Sequence, residues 1–385
     1  MSTSAEGPRP EPRAGSQVPV RDRAGDVAPM PDQLSPRRIR RRLLEFAVLG
    51  AAIATVVLAV PGLSELRARL AHASLPWLAL APVLEVLSVL SYVVLFRAVF
   101  CPRMRWRVSA QIAMSELAAN SLLPASGAGG LALGAWALNR GGMSAEQIGR
   151  KSVAMYFLTS LANVSILVAF VALYATGVLR HNPNVVVTDL FAALALASVL
   201  VVLVIPRILA RMPGAGTPDH PLGSVARGLR FVRRSLAAGV PDGVLLLRRR
   251  PVSVLGGSFG TTVFDLAVLV VAFRAIGASP PIGVLVLGYL IGQLGGNVPI
   301  PGGIGAIDLG LIGTLTLFHE PLAATTVAVL TYHAVSLWVP ALLGSVAFVR
   351  LRKTLQREER PAAVCMPLAE PIETVGLPKT VADPV

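Results

Sequence analysis

Two related stretches of the sequence lie 177 positions apart, as Asn120 and Asn297 illustrate. The segment 93–124 aligns without a gap with 270–301, and eight of its 32 positions are identical. A gapless match of this length indicates an internal duplication, and a duplication predicts an architecture of two related halves. The other interpretation is a chance similarity between two apolar stretches rich in alanine and glycine.

The composition indicates a membrane protein. Of the 385 residues, 54% are hydrophobic and 15% are charged, which is too apolar for an ordinary soluble domain. The net charge of +14 does not indicate a nucleic-acid partner, because the basic residues flank long apolar runs, as they do beside membrane spans. Six stretches are long enough to cross a hydrocarbon core of ~30 Å as helices. They are approximately 43–62, 75–100, 152–177, 189–208, 252–276 and 322–349.

Arginine clusters predict the orientation of these spans. The run 37–42 carries five arginines and precedes the first span, and the loop 206–251 carries nine arginines against two aspartates. Since basic loops stay in the cytoplasm, both termini are expected inside. Cys101 and Cys365 also fall in cytoplasmic segments, so no disulfide is expected. The Pro-rich tails 1–36 and 354–385 are predicted to be disordered, which leaves 37–353 as the membrane domain.

Two further apolar regions, 108–139 and 282–318, are each interrupted by a break rich in proline and glycine. Half-length helices cannot cross a bilayer alone, so each region is predicted to form a re-entrant hairpin. The first hairpin enters from the cytoplasm and the second from outside. The predicted fold is therefore all-α, with six spans and two hairpins in an inverted-topology repeat (about 43–177 and about 189–350). The alternative, eight full spans, is rejected because it would place the basic loop 206–251 outside.

Candidate substrate-binding residues lie at the two breaks. The second half-helices begin near Gly130 and Gly305, and helix N-termini attract anions through their partial positive charge and unpaired N–H groups. A phosphate or carboxylate is expected to approach such glycine-rich backbone. The alternative is that the glycines only permit tight packing. The candidates at the breaks are Asn120, Pro124, Gly127, Gly129, Gly130, Asn297, Pro301, Gly302, Gly303, Gly305 and Asp308.

Two asparagines at the breaks and two arginines at span ends each have more than one interpretation. Asn120 and Asn297 either bind substrate or cap carbonyl groups freed by the break prolines. Arg97 and Arg274, at the ends of spans two and five, either guide a phosphate at opposite membrane faces or snorkel to the interface.

Ionisable residues inside membrane segments are costly unless partnered, and they mark functional sites. Glu85 and Asp265 lie near mid-span, where each is expected to pair with an arginine, bind a proton or meet a cationic headgroup. Glu116 and Asp308 lie on the hairpins. His333, in the last span, is either a satisfied packing residue or a proton relay.

The basic loop contains a segment with helical periodicity. Val225, Leu229, Val232 and Leu236 recur at helical spacing with arginines between them. This pattern is typical of an amphipathic helix lying on anionic lipid, and a solvated linker is the alternative.

Signatures of soluble enzymes are absent from the sequence: it contains no HExxH, CxxC, GxSxG or P-loop motif. The chain is therefore expected not to be an enzyme, and no cofactor or metal ion is expected.

The two breaks resemble those of the transmembrane, flippase-like domain of the lysylphosphatidylglycerol synthase family. The motifs that carry the resemblance are Asn120-Ser-Leu-Leu-Pro124, Asn139-Arg-Gly-Gly-Met-Ser144, Val298-Pro-Ile-Pro-Gly-Gly-Ile-Gly-Ala-Ile-Asp308 and Thr331-Tyr-His-Ala-Val-Ser-Leu-Trp-Val-Pro340. The resemblance covers about 43–353. The chain departs from the family pattern at Asp308, where Glu is usual, at His333, where Arg is usual, and at Gly129-Gly130, where an acidic residue often follows.

The resemblance implies translocation of a phospholipid or aminoacylated phospholipid between leaflets of a bacterial cytoplasmic membrane, with membrane phospholipids as the partners. It does not imply synthase activity, which belongs to a separate soluble domain that this chain lacks. The alternatives are a carrier for another lipid-linked or amphipathic substrate and a non-transporting partner of a lipid-modifying enzyme.

Overall fold

The structure, a computed structural model, describes residues 41, 44–45, 47–48, 51, 64–122, 128–176, 193, 204, 224–295 and 305–357. Within these residues the ordered elements are helices, and there is no strand. Ten helices have defined bounds. They are α1 (Ser64–Ala71), α2 (Leu75–Phe100), α3 (Trp106–Leu122), α4 (Ala128–Arg140), α5 (Ala145–Ala175), α6 (Ser224–Arg249), α7 (Pro251–Ala275), α8 (Ile282–Gly295), α9 (Ala306–Leu317) and α10 (Leu322–Arg357).

Four helices are long and apolar enough to cross a membrane: α2, α5, α7 and α10. They correspond to four of the six predicted spans, which confirms those four. The other two predicted spans, 43–62 and 189–208, lie almost entirely outside the described residues, as do both predicted tails apart from the last turn of α10. Two shorter apolar helices, α8 and α9, form the second interrupted region.

The helix bounds repeat with the same offset as the sequence. Adding 177 to the first residues of α2, α3, α4 and α5 gives 252, 283, 305 and 322, and the observed starts of α7, α8, α9 and α10 are 251, 282, 306 and 322. The agreement covers four consecutive helices. It therefore extends beyond the aligned segments 93–124 and 270–301, from which the offset was obtained.

The two repeat-related helices α2 and α7 pack against each other along their length and run antiparallel. At one end the backbone N–H of Ser74 donates to the carbonyl of Ala275 at 2.7 Å, and near the other end Gly257 lies against the backbone of Leu95. Small residues allow this close approach, as they do between many membrane helices. The contact places the two helices at the centre of the bundle.

Each interrupted region starts and finishes at the same end of the α2–α7 pair. The α3–α4 hairpin shares a core cluster with the C-terminal end of α2 and the N-terminal part of α5, including Phe100, Met104, Leu138 and Met143. The α8–α9 hairpin shares the other cluster with the C-terminal end of α7 and the N-terminal part of α10, including Ile276 and Val284. The two hairpins therefore lie in opposite halves of the bundle.

The basic loops gather at the end that carries the first hairpin. The ammonium group of Lys151 donates to the carbonyls of Val99 and Phe100, at 2.9 and 2.8 Å, which joins the start of α5 to the end of α2. Cys101, the next residue, is disulfide-bonded, which contradicts the expectation that no disulfide forms. That expectation rested on a reducing compartment, where disulfides are rare, and the cytoplasmic placement of Cys101 is itself a prediction.

Helix α6 covers the periodic segment predicted inside the basic loop and packs on α5. Its glycines lie against side chains of α5, Gly239 beside Val153 and Gly243 beside Phe157. The guanidinium of Arg150 forms an ion pair with Asp242 at 2.6 Å. The helix is therefore confirmed, whereas its contact with anionic lipid stays a prediction.

Candidate functional site

At the first break, the side chain of Asn120 joins the two half-helices. Its Oδ1 atom accepts a hydrogen bond of 2.8 Å from the backbone N–H of Gly130, in the first turn of α4. Gly129 and Gly130 are buried, and a Cβ atom at Gly130 would overlap the Asn120 amide and the Glu116 carbonyl. Glycine is required here because the two backbones approach so closely.

One turn before Asn120, the Glu116 carboxylate is buried against the same helix pair. Glu116 is 4% exposed, and its Oε2 atom would lie 2.9 Å from a Cβ at Gly134. The hydroxyl of Tyr92 hydrogen-bonds to this carboxylate, and Tyr156 faces it. A tyrosine of α2, a tyrosine of α5 and the close backbone of α4 thus surround the acid of the first hairpin.

At the second break, Asp308 bonds to the backbone that begins α9. Its Oδ2 atom accepts a hydrogen bond of 2.9 Å from the N–H of Gly305. Gly305 has a φ of 86°, a left-handed conformation that glycine adopts without steric cost. The Oδ1 atom of Asp308 lies 2.9 Å from Nδ1 of His333 in α10. The start of α9 is therefore tied to the last span through a carboxylate and an imidazole.

These contacts take up one N–H group at each break, where the sequence predicted free N–H groups; the predicted binding of an anion there stays a prediction. The N–H of Gly130 is taken by a neutral amide, and that of Gly305 by a carboxylate. Asn120 caps an N–H group of the following helix, whereas the sequence predicted a cap on freed carbonyls or a substrate contact. The packing role of Gly130 is supported, because an added Cβ there would overlap Asn120. An anion at the start of α9 would meet the carboxylate of Asp308, which is already in place. Pro124, Gly127, Asn297, Pro301, Gly302 and Gly303 lie outside the described residues and stay predictions.

The two arginines predicted at opposite mouths lie at opposite ends of the central helix pair and differ in their surroundings. The Nε–H of Arg97 donates to the carbonyl of Met104 at 2.9 Å, and its guanidinium stacks over the ring of Trp106 at 4.3 Å. Arg274 is exposed, and it has no hydrogen bond or ion pair within the described part of the chain. Arg97 therefore stabilises the α2–α3 turn, whereas Arg274 is the more accessible cation.

A second polar cluster surrounds Asp265 between α7, α8 and α10. Its Oδ2 atom accepts hydrogen bonds from the hydroxyls of Tyr289 and Tyr332 at 2.8 and 3.1 Å, and from the amide of Gln293 at 3.4 Å. Glu85 of α2 interacts electrostatically with this carboxylate. The sequence reasoning singled out both acids but not the tyrosines. The two tyrosines could have been identified from the sequence, because a tyrosine hydroxyl buried in an apolar helix needs a hydrogen-bond acceptor such as a nearby carboxylate.

The two polar clusters are related by the repeat. Glu116 and Gln293 are 177 positions apart, and so are Tyr156 and His333. Glu116 and Tyr156 face each other in the first half, whereas Gln293 and His333 face Asp265 in the second. Corresponding positions thus line polar sites in both halves, with different residue types. No group of three His, Cys, Asp or Glu side chains suited to a metal ion occurs within the described ranges.

Comparison with known proteins identifies one family. The family description "Lysylphosphatidylglycerol synthase TM region" matches residues 47–344, and no synthase domain is matched. No curated protein matches the sequence.

Proposed function

We propose, on the premise that this chain belongs to the lysylphosphatidylglycerol synthase transmembrane-region family, that it moves a phospholipid or aminoacylated phospholipid between membrane leaflets. Its apolar helices and its family make it a multi-pass membrane protein. The membrane of the proposal is the bacterial cytoplasmic membrane, with both termini on the cytoplasmic side. The chain itself performs no chemistry on the lipid.

The proposed architecture is an inverted-topology repeat in which both hairpins are re-entrant. Three observations support it: the helix bounds recur at the offset of 177, the repeat-related helices α2 and α7 are antiparallel, and the two hairpins lie in opposite halves of the bundle. Matching interrupted segments in two halves of a membrane protein point to its transport site. A headgroup would pass between the breaks while the acyl chains remain in the bilayer.

The observation that carries this proposal is the polar chemistry at the two breaks. Irregular backbone at membrane depth is tolerated where it is buried in protein or lines a wet cavity. Here Asn120 presents a neutral amide at the start of α4, whereas Asp308 and His333 present a carboxylate and an imidazole at the start of α9. A phosphate is accommodated better beside the neutral break, and an aminoacyl ammonium group beside Asp308.

Leaflet exchange of fluorescent phospholipids in proteoliposomes tests the proposal. A membrane-impermeant quencher added outside reports how fast labelled lipid from the inner leaflet becomes accessible. The full-length protein should raise this rate well above that of empty liposomes. Gly256→Ala is a suitable control, because Gly256 is exposed and a Cβ there meets no atom within 4 Å.

Two charge variants test the assignment of the breaks. Asn120→Asp adds a carboxylate beside α4 and should slow anionic lipids by about tenfold, if it removes about 1.4 kcal/mol of favourable binding. Asp308→Asn keeps an acceptor for Gly305 but removes the charge, so it should slow a lysyl-bearing lipid more than phosphatidylglycerol. Exchange no faster than in empty liposomes for every lipid would favour a non-transporting partner of a lipid-modifying enzyme. Exchange restricted to another amphipathic molecule would favour the alternative carrier.

A further inference from the structure

The centre of the bundle contains two acidic side chains in facing helices. Glu85 lies in α2 and Asp265 in α7, the antiparallel pair at the centre of the fold. Glu85 is 4% exposed, and the two acids face each other across the helix pair: Ser88, one turn after Glu85, donates from its hydroxyl to the carbonyl of Thr261, one turn before Asp265, at 3.1 Å. Two adjacent buried carboxylates resist simultaneous ionisation, because like charges repel and burial removes their hydration.

The hydrogen bonds of this pair are incomplete. One oxygen of Asp265 is satisfied by Tyr289, Tyr332 and Gln293, and all three donors are neutral. The other oxygen, Oδ1, and the Oε2 atom of Glu85 are buried and receive no hydrogen bond. Neither acid forms an ion pair with a lysine or arginine in the part of the chain that the structure describes. A buried acceptor without a donor costs about 1–3 kcal/mol, and more when it is charged.

The missing donor must therefore be small and positively charged. Both unpaired oxygens are buried, so an ammonium group or a hydrated ion would reach them only if the surrounding side chains moved apart. A proton needs no such opening. On one carboxyl it cancels one negative charge and supplies an O–H donor to an unpaired acceptor.

Titratable groups face the pair from the neighbouring helices. They are Tyr289 of α8 and Tyr332 and His333 of α10, while α5 presents only the neutral Asn163, bonded to Thr262. The Nε2 atom of His333 is buried and has no hydrogen-bond partner, and Nδ1 lies 2.9 Å from Asp308. His333 is thus joined to the second break through Nδ1, and its Nε2 atom makes no hydrogen bond to the acid pair in this conformation.

We propose that Glu85 and Asp265 share one exchangeable proton, and that His333 exchanges it with the second break. In this step a side-chain movement or a bridging water brings Nε2 of His333 within hydrogen-bond reach of the pair; the O–H bond of the carboxylic acid then breaks and an N–H bond forms at Nε2, which leaves a carboxylate and an imidazolium. The imidazolium then pairs with Asp308, which accepts from the N–H of Gly305, the residue before α9. Proton binding at the pair is thereby coupled to the charge at the break, and this coupling, but not the proton site itself, rests on the proposed lipid transport.

Infrared difference spectroscopy of the full-length protein in lipid nanodiscs tests the proton site without any transport. Acidification from about pH 9 to pH 5 should produce a carboxylic C=O band that shifts in heavy water. Glu85→Gln and Asp265→Asn, which keep shape and polarity, should each remove it. Glu116→Gln makes the same change at a buried carboxyl of the other half; any component that it removes belongs to Glu116, and the component of the acid pair should remain. A difference spectrum that neither Glu85→Gln nor Asp265→Asn changes, or the absence of a carboxylic band from the parent protein over that range, overturns the proposal.

A pH difference across proteoliposomes tests the coupling. Movement of labelled lipid should be accompanied by proton flux, and one pH unit should change its steady-state distribution by up to about tenfold for one proton per lipid. His333→Gln should leave lipid exchange insensitive to the pH difference, and His333→Arg should do the same because its charge is fixed. If the band is present and no lipid moves, the proton site stands and the proposed transport is wrong. If lipid moves with neither band nor pH response, the proton site is wrong and the transport stands.

Discussion

The Oδ1 atom of Asn120 accepts a hydrogen bond of 2.8 Å from the backbone N–H of Gly130, across the break between α3 and α4. The two residues are ten positions apart, so the bond closes the hairpin. It also explains the glycine at position 130, the third residue of α4, since a side chain there would displace the amide of Asn120. The junction of α3 and α4 therefore depends on a small residue and an amide together.

Gly130→Ala should destabilise the protein. The new Cβ would overlap the Asn120 amide and the carbonyl of Glu116, and overpacking of a close contact costs about 1–3 kcal/mol. Thermal unfolding in detergent should show the loss as a lower midpoint. Gly313→Ala is the matched control, because Gly313 lies inside α9, is exposed and has no atom within 4 Å of an added Cβ. It should be neutral or stabilising by up to about 1 kcal/mol. Equal midpoints for the two variants would contradict the tight break.

Two adjacent glycines of α7, Gly256 and Gly257, test the contact between α2 and α7. In α7, a Cβ at Gly257 would lie 2.8 Å from the backbone nitrogen of Leu95, whereas one at Gly256 meets nothing within 4 Å. Gly257→Ala should therefore separate α2 and α7 and lower the unfolding midpoint, and Gly256→Ala should not. Since the two substitutions are identical and adjacent, differences in helix propensity cancel. A larger loss in Gly256→Ala would show that the helices meet on another face.

The spans and breaks were predictable from sequence because they depend on composition along the chain. Apolar length identified α2, α5, α7 and α10, and proline and glycine marked the interruptions. The repeat offset anticipated the bounds of the second set of helices. None of these inferences requires knowledge of which face of a helix is buried.

The contacts of the polar residues depend on that face, and the sequence does not mark it. The spanning helices are apolar on all sides, so hydrophobic periodicity does not indicate which side faces protein and which faces lipid. The approach of Tyr289 and Tyr332 to Asp265 depends on the rotation of three helices. For the same reason, the capture of the Gly130 and Gly305 N–H groups by side chains was not anticipated.

Cysteine labelling from the two sides tests the proposed topology. Ser144 precedes α5 at the end that carries the basic loops, and Ser279 lies between α7 and α8 at the opposite end; both are exposed. In a background with Cys101 and Cys365 replaced by serine, Ser144→Cys should react with an impermeant maleimide only from the cytoplasm. Ser279→Cys should react only from outside.

The two introduced cysteines control for each other, because the same substitution is made at exposed positions in both cases. Labelling of both from one side would refute the antiparallel placement of α2 and α7 across the membrane. Labelling with the sides exchanged would keep the inverted repeat but reverse its orientation, contrary to the arginine distribution.

Arg97 and Arg274 should contribute differently to stability and transport. Arg97 bonds to the carbonyl of Met104 and stacks on Trp106, so Arg97→Gln should lower the unfolding midpoint by the loss of about 1–3 kcal/mol. Arg274 is exposed and lacks a described partner, so Arg274→Gln should leave the midpoint near that of the parent. Thermal unfolding of both variants in the same detergent makes the comparison.

Lipid-exchange measurements then distinguish two roles for Arg274: guiding a phosphate group, or only reaching the membrane interface by snorkelling. If Arg274 attracts an anionic headgroup, Arg274→Gln should slow the exchange of anionic lipids several-fold and leave zwitterionic lipids less affected. Arg274→Lys is the sharper control, because lysine also reaches the interface but does not bind a phosphate bidentately. A rate lowered in both variants indicates bidentate binding, and one restored by lysine indicates attraction by charge alone. An unchanged rate in Arg274→Gln would remove this residue from the transport path and leave the polar groups at the breaks as the determinants of headgroup choice.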